Sequence, residues 1–161
     1  MSAAAVSSAP VRIDGLFETH LTVGDLDRSI AFYRDLLGLP LAYTQPERGV
    51  AFFWLGGPGK GMLGLWKAGT VLRMHLHLAL TVSLDELLAA PAKLRAAGIT
   101  PRGFGGEPSD EPMVHCWMPA AAVFFTDPDG HSLEYLAMLP AAPRPDLGVL
   151  NWAAWQARDA G

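Results

Sequence analysis

Cysteine is almost missing from this chain of 161 residues, in which Cys116 is the only one. A disulfide framework within the chain and a zinc site built from clustered thiolates are therefore excluded. Charged residues are also scarce, at 17% of the sequence, and 16 acidic against 12 basic side chains give a net charge of −4. The basic residues form no run, which argues against a protein that binds nucleic acid by neutralising phosphates.

Long apolar runs are absent too, since no stretch reaches the roughly 18 residues that a membrane-spanning helix requires. Residues 1–10 lack both a basic start and an apolar segment, so they are not typical of a signal peptide. We expect residues 1–15 to be a flexible N-terminus. Half of the residues are apolar, which is enough for a substantial core. These features favour a soluble, cytoplasmic protein with one structural domain.

The first half of the sequence predicts one strand, one helix and three further strands. Leu16–Val23 alternates in polarity, as a half-buried strand does. Asp25 stands where an N-cap is expected, and Gly38 where a helix ends. Between them, apolar residues recur at helical spacing, at Leu26, Ile30, Tyr33 and Leu37. The three strands that follow are predicted at Leu41–Thr44, Val50–Leu55 and Met62–Lys67.

The second half repeats this order. Met74–Val82 predicts a strand and Leu84–Ala97 a helix that ends at Gly98. Three more strands are predicted at Ile99–Gly103, Ala121–Thr126 and Ser132–Met138. The sequence therefore predicts an α+β fold of two βαβββ modules, residues 16–71 and 72–139, which form a cupped mixed β-sheet. Residues 140–161 would be a C-terminal tail with a short helix.

Three side chains at equivalent strand positions of the two modules, and a fourth on the same strand face as one of them, are candidate metal ligands. When the first strands are superimposed, Glu18 falls opposite His77; when the last strands are superimposed, Gly64 falls opposite Glu134. His20 lies on the same strand face as Glu18 and is the fourth candidate. Imidazoles and carboxylates together suit a divalent first-row metal and leave coordination positions open. Whether Glu18 or His20 is the first-strand ligand is open at this point.

Other common chemistries lack their motifs. The sequence contains no GxSxG nucleophile elbow, no P-loop, no GxGxxG that opens a helix after a strand, and no HExxH. A metal site is thus the chemistry that the sequence favours.

Three segments resemble the vicinal oxygen chelate superfamily, which includes glyoxalase I, fosfomycin-resistance thiol transferases, bleomycin-resistance proteins and extradiol dioxygenases. They are VGDLDRSIAFYRDLLGL (Val23–Leu39), HLALTV (His77–Val82) and FFTDPDGHSLEYL (Phe124–Leu136). The resemblance implies paired βαβββ modules, a homodimer, and a metal ion bound in the cupped sheet.

The resemblance also assigns roles to single residues. His77 matches the histidine ligand of the second module, and Glu134 matches the final glutamate. Glu18 stands where members usually have histidine, and Gly64 stands where glyoxalase I has a carboxylate ligand. The chain therefore departs from the pattern of the ordinary glyoxalase I reaction.

The function that we expect is that of a metal-dependent glyoxalase-family enzyme of lyase or isomerase type. Its small substrate would chelate through neighbouring oxygens, its cofactor would be Zn, Ni, Mn or Fe, and Glu134 or Glu18 would be the catalytic base. One alternative is a metal-free protein of bleomycin-resistance type that binds a drug or metabolite in an aromatic pocket lined by Trp54, Trp66 and Trp117. A thiol transferase or dioxygenase of the same superfamily is a further alternative. No nucleic-acid or membrane partner is expected.

Overall fold

The computed structural model describes residues 16–68 and 75–158. The first sheet has four strands in the order β1-β4-β3-β2, in which β1 and β4 run parallel and the other neighbours antiparallel. Its elements are β1 (Glu18–Val23), α1 (Leu26–Ala31), a π-helical turn (Phe32–Leu36), β2 (Leu41–Gln45), a 3-10 turn (Pro46–Arg48), β3 (Val50–Trp54) and β4 (Met62–Lys67).

The second sheet has five strands in the order β5-β8-β7-β6-β9, and β5 and β8 again run parallel. Its elements are β5 (His77–Thr81), α2 (Leu84–Ala96), β6 (Met113–His115), β7 (Ala120–Thr126), β8 (Ser132–Met138), a 3-10 turn (Pro145–Leu147), β9 (Val149–Asn151) and α3 (Trp152–Arg158). The α+β class with two βαβββ modules is therefore confirmed. None of the helices in these two described ranges is long and apolar enough to cross a membrane.

The predicted strand at Ile99–Gly103 is wrong. Only Arg102 pairs there, through isolated bridges to Pro108 and Phe124. Pro101 has no amide hydrogen to donate to a ladder, and glycine follows at 103, so the segment does not extend into a strand. The second strand of this module is β6 instead. Met74, which begins the predicted fifth strand, lies outside the described residues.

Local signals in the sequence account for both ends of the first helix. The Asp25 carboxylate accepts a hydrogen bond from the Arg28 amide at 3.1 Å, as the N-cap prediction required. After the π-helical turn, Gly38 adopts a φ of 72°, a left-handed conformation that favours glycine. Gly98 does the same after α2, with a φ of 77°.

The core lies between the two sheets and the helices that cover them. Tyr33, Phe53, Leu87 and Phe125 are fully buried and come from the π-helical turn, β3, α2 and β7. Because both modules contribute to one apolar cluster, burial of that cluster holds the modules together.

The turn between β7 and β8 joins the modules with polar contacts. Asp129 accepts hydrogen bonds from the Gly24 amide at 2.9 Å, the Ser29 hydroxyl at 3.0 Å and the Arg28 guanidinium at 2.8 Å.

His131 in the same turn is buried and also contacts the first module. Its Nδ1 accepts a hydrogen bond from the Leu76 amide at 3.1 Å. The ring proton is therefore on Nε2, which donates to the Thr22 carbonyl at 2.7 Å. This turn of the second module is therefore fastened to β1 and α1 of the first.

Candidate functional site

His77 and Glu134 lie on one face of the second sheet. His77 on β5 pairs with Ser132 on β8, two residues before Glu134, so both side chains point to the same side. His77 Nε2 lies 3.1 Å from Glu134 Oε2, and His77 Nδ1 lies 3.3 Å from the Ser132 hydroxyl. The imidazole is half-exposed, whereas the carboxylate is 7% exposed. The pair thus combines an accessible ring with a buried acid.

The second oxygen of Glu134 has no partner. Glu134 Oε1 is buried and accepts no hydrogen bond within the described part of the chain. His115 Nε2 lies 3.9 Å from it, which is too far for a hydrogen bond. A buried acceptor without a donor costs roughly 1–3 kcal/mol. Such a group calls for a donor or a cation that the described residues do not supply.

Aromatic rings surround this carboxylate. Phe124 pairs with Glu134 across β7 and β8, and its ring centroid lies 6.2 Å from that of His77. The Phe104 ring lies edge-on to the rings of His115, at 5.2 Å, and Phe124, at 6.4 Å. The site is therefore a buried acidic group beside a cluster of aromatic rings.

Glu18 and His20 form a separate pair on the first sheet. His20 Nδ1 accepts a hydrogen bond from the Trp66 indole, so His20 Nε2 carries the proton that it donates to Glu18 Oε1 at 2.9 Å. The His20 and Trp66 rings also stack, with centroids 5.7 Å apart. Both nitrogens of His20 are thereby engaged, which leaves Glu18 as the freer ligand of the two.

Gly64 provides space for the His20 ring. The two residues face each other across β1 and β4, and a Cβ atom at Gly64 would come within 3.0 Å of His20 Nδ1. The imidazole of His20 therefore takes up the space that a side chain at position 64 would need.

The predicted ligands accordingly fall into two pairs, Glu18 with His20 and His77 with Glu134. The strand registers match the predicted equivalence: Glu18 lies two residues before the partner of Gly64, and His77 lies two residues before the partner of Glu134. Across residues 16–68 and 75–158, however, no three His, Cys, Asp or Glu side chains are close enough together to hold a metal ion.

A divalent metal nevertheless suits the His77 and Glu134 donors. The orphaned Glu134 Oε1 is a buried acceptor that a cation would satisfy, and one imidazole with one carboxylate is a donor set that first-row metals accept. Ser132 would hold the other nitrogen of His77 and so fix the orientation of its ring.

The sequence pattern did not indicate that His115 or Phe104 would lie at this site. His115 lies at the end of the unpredicted strand β6, and Phe104 lies in the long connection before it. The usable signal was the alternation along Met113–His115, which puts His115 on the face that carries Glu134 once β6 is paired with β7.

A separate cavity of about 620 Å³ lies between the modules. Its wall is mainly aliphatic and includes Leu36, Leu55, Leu80, Val82, Leu94 and Tyr135. Burial raises the pKa of Tyr135, so its hydroxyl is neutral there. None of the three tryptophans expected in an aromatic pocket lines this cavity.

In each of the two βαβββ modules the first and last strands pair in parallel, and comparison with known proteins identifies the superfamily that shares this fold. A profile of the Glyoxalase/Bleomycin resistance protein/Dioxygenase superfamily matches residues 15–135. The chain belongs to this superfamily.

Individual relatives carry different names. The chain is 29% identical over 129 residues to a lactoylglutathione lyase of Haemophilus influenzae, covering 75% of this chain and 90% of that one. It is also 29% identical over 123 residues to the metallothiol transferase FosB of Lysinibacillus sphaericus, covering 71% and 75% of the two chains. Among solved structures, an integron cassette protein from the Halifax Harbour sewage outfall metagenome superimposes with a TM-score of 0.69 at 29% identity, covering 78% of this chain and all of the other.

Proposed function

We propose that this protein is a divalent-metal-dependent enzyme of lyase or isomerase type, which acts on a small substrate chelated through neighbouring oxygens. The observation that carries the proposal is the His77–Glu134 pair with its unpartnered, buried Glu134 Oε1. Membership of a superfamily that contains lactoylglutathione lyases and thiol transferases supports it. In this proposal the protein works as a homodimer.

His77 and Glu134 would hold the metal, and the further protein ligand, Glu18, would come from the second copy of the proposed homodimer, because within one chain the Glu18 pair is separate from them. When bound, the ion would act as a Lewis acid toward negative charge that develops on substrate oxygen. The identity of the ion, among Zn, Ni, Mn and Fe, follows from site geometry and metal availability more than from affinity.

Glu18 and Glu134 are the proposed bases for a proton on a carbon next to a carbonyl. Glu18 is the more accessible, with its side chain 36% exposed and its Oε1 hydrogen-bonded to His20. Because His20 is itself held by Trp66, the carboxylate of Glu18 is fixed in orientation before a substrate arrives. Glu134 is more deeply buried, which suits it better to binding the cation.

Elemental analysis of purified variants tests the metal assignment. Wild-type protein and His75→Ala should contain stoichiometric metal, and His77→Ala should contain none. His75 is a matched control because it is exposed and only two residues from His77 in the sequence. Full retention of metal by His77→Ala would refute the assignment. Lactoylglutathione is the first substrate to assay, because it appears in the name of the Haemophilus influenzae relative, a lactoylglutathione lyase.

The second candidate function is metal-free binding of a drug or metabolite. It is favoured by the division of the predicted ligands into two separate pairs and by the apolar cavity of about 620 Å³, a volume that suits a small molecule. If wild-type protein shows no tryptophan fluorescence response to Mn, Ni, Zn or Fe, that result would favour this second function over the metal-dependent one.

A further inference from the structure

The cavity of about 620 Å³ between the modules has a wall that is almost entirely aliphatic. The π-helical turn, β5 and α2 contribute Leu36, Leu80 and Leu94 to it, so both modules form the wall. Tyr135 is the one aromatic residue among the described residues that line it. None of the proposed metal ligands is part of this wall. The cavity is therefore a second site, distinct from the histidine–glutamate pair.

Tyr135 supplies this wall with a hydroxyl group. Tyr135 on β8 pairs with Leu80 on β5, so both side chains lie on the same face of the second sheet. Within residues 16–68 and 75–158 the hydroxyl makes no hydrogen bond, and it is not fully enclosed by protein. Burial raises the pKa of Tyr135, so the hydroxyl keeps its proton at neutral pH. It is thus a neutral donor without an acceptor.

The two charged residues of the wall neutralise each other. Glu86 and Lys93 are seven residues apart on α2, and Lys93 Nζ lies 2.5 Å from Glu86 Oε2. Their side chains are 63% and 61% exposed, so the pair lies at the mouth of the cavity. A charged group of a ligand would find no free counter-charge among these lining residues, and an unpaired buried charge is costly. The wall therefore favours an uncharged ligand.

We infer that this cavity binds an uncharged aliphatic molecule that carries a carbonyl oxygen. The chain of the ligand packs among Leu36, Leu80 and Leu94, and its oxygen accepts a hydrogen bond from the Tyr135 hydroxyl. The volume of about 620 Å³ is typical of small-molecule sites. The inference goes beyond the metal-dependent function, and for the second candidate function it names the ligand class.

A series of methyl ketones tests the aliphatic part of this recognition. Calorimetric titration of the full chain with 2-hexanone, 2-heptanone and 2-octanone should show an affinity that rises about fourfold with each added methylene. Octanoate, which has the same number of carbons as 2-octanone but carries a charge, should bind about tenfold more weakly. Equal affinity for 2-hexanone and 2-octanone would overturn the inference, and so would octanoate binding as tight as that of 2-octanone.

Tyr135→Phe tests the polar part, because it keeps the ring and removes only the donor. The affinity for 2-octanone should fall about fivefold. Tyr43→Phe is the matched control and should bind 2-octanone as wild type does, because Tyr43 is 57% exposed on β2 and is not among the lining residues. Unchanged affinity in Tyr135→Phe, or an equal loss in both variants, would overturn the inference.

A substitution that fills the cavity should abolish ketone binding. Leu80→Trp adds a large ring beside Tyr135, whereas Leu88→Trp adds the same ring at a 40% exposed position of α2 outside the wall and should bind normally. If Leu80→Trp does not fold, Leu36→Trp gives the same test from a lining residue that is 41% exposed. Wild-type affinity in a folded variant of either lining residue would overturn the inference.

Titration with and without EDTA separates this site from the proposed metal site. The affinity for 2-octanone should be the same in both conditions, because no proposed metal ligand lines the cavity. Loss of ketone binding in EDTA would refute a distinct site. The metal-dependent function is decided separately, by the metal content of His77→Ala.

Discussion

The Tyr33 hydroxyl donates a buried hydrogen bond to Asp127 Oδ2 at 3.0 Å. Tyr33 belongs to the helical segment of the first module, and Asp127 opens the β7–β8 turn of the second. The other oxygen, Asp127 Oδ1, accepts from the amides of Asp129 at 3.0 Å and His131 at 2.8 Å. Tyr33 thereby couples the first module to the turn that carries Asp129 and His131.

Tyr33→Phe should destabilise the protein by about 1–3 kcal/mol, because Asp127 Oδ2 loses its donor while it stays buried. Urea unfolding measures the change. Tyr43→Phe is the control, since Tyr43 is 57% exposed and its hydroxyl should contribute less than about 0.5 kcal/mol. An equal effect of the two substitutions would contradict the role given to Tyr33.

The same tyrosine predicts a loss of stability at alkaline pH. Burial, reinforced by the charge of Asp127, raises the pKa of Tyr33 far above its ordinary 10.0. Because the unfolded chain ionises first, the stabilisation is complete below pH 10 and falls as the pH rises above it. The difference in unfolding free energy between wild type and Tyr33→Phe should therefore narrow from pH 9 to pH 11; a constant difference would disprove this.

Asp129 predicts a loss of stability at acid pH. Partial burial acts to raise its pKa, but hydrogen bonds from the Gly24 amide and Ser29, with the charge of Arg28, outweigh burial and lower that pKa below the ordinary 3.8. The contribution is therefore present above pH 3.8 and is lost as the pH falls through the lower folded value. Asp129→Asn should be less stable than wild type at pH 7, and the gap should close toward pH 2. Unfolding curves measured in both variants at each pH test this, and a gap that widens in acid would exclude it.

Glu134→Gln should abolish metal binding without lowering the stability of the metal-free protein. In metal-free protein, loss of a buried, half-partnered carboxylate should leave thermal stability unchanged or raise it. At a metal concentration a hundred times the Kd, the ion should stabilise wild type by about 2.7 kcal/mol and should not stabilise Glu134→Gln. Calorimetric melting with and without metal measures both effects. Equal metal-induced shifts in the two proteins would rule out Glu134 as a ligand.

Gly64→Ala should destabilise the first sheet by about 1 kcal/mol, because the new Cβ would crowd His20 and Phe52. Removing the imidazole should relieve that cost, so the double variant His20→Ala, Gly64→Ala should show a favourable coupling energy. Urea unfolding of the four proteins completes the cycle. Strict additivity would show that Gly64 is not needed to accommodate His20.

Much of the fold was readable from the sequence because its signals are local. The cap at Asp25, the stops at Gly38 and Gly98 and the repeated apolar segments all depend on near neighbours in the chain. The short strands β6 and β9 were not readable, because three residues carry too little periodicity and their pairing is set by distant partners.

The candidate site was predictable in part for the same reason. The repeat aligned His77 with Glu18 and Glu134 with Gly64, and the structure puts His77 and Glu134 in contact. His115 and Phe104 join them only through tertiary packing. The engagement of His20 by Trp66 likewise depends on sheet register, which the sequence pattern alone does not fix.

Strand β9 has a bearing on how this architecture tolerates change. Val149 pairs with His115, so the tail lies next to the strand whose imidazole is 3.9 Å from the orphaned oxygen. A substitution in β9 can therefore displace groups around Glu134 without contacting them. Such a change would act from outside the two βαβββ modules.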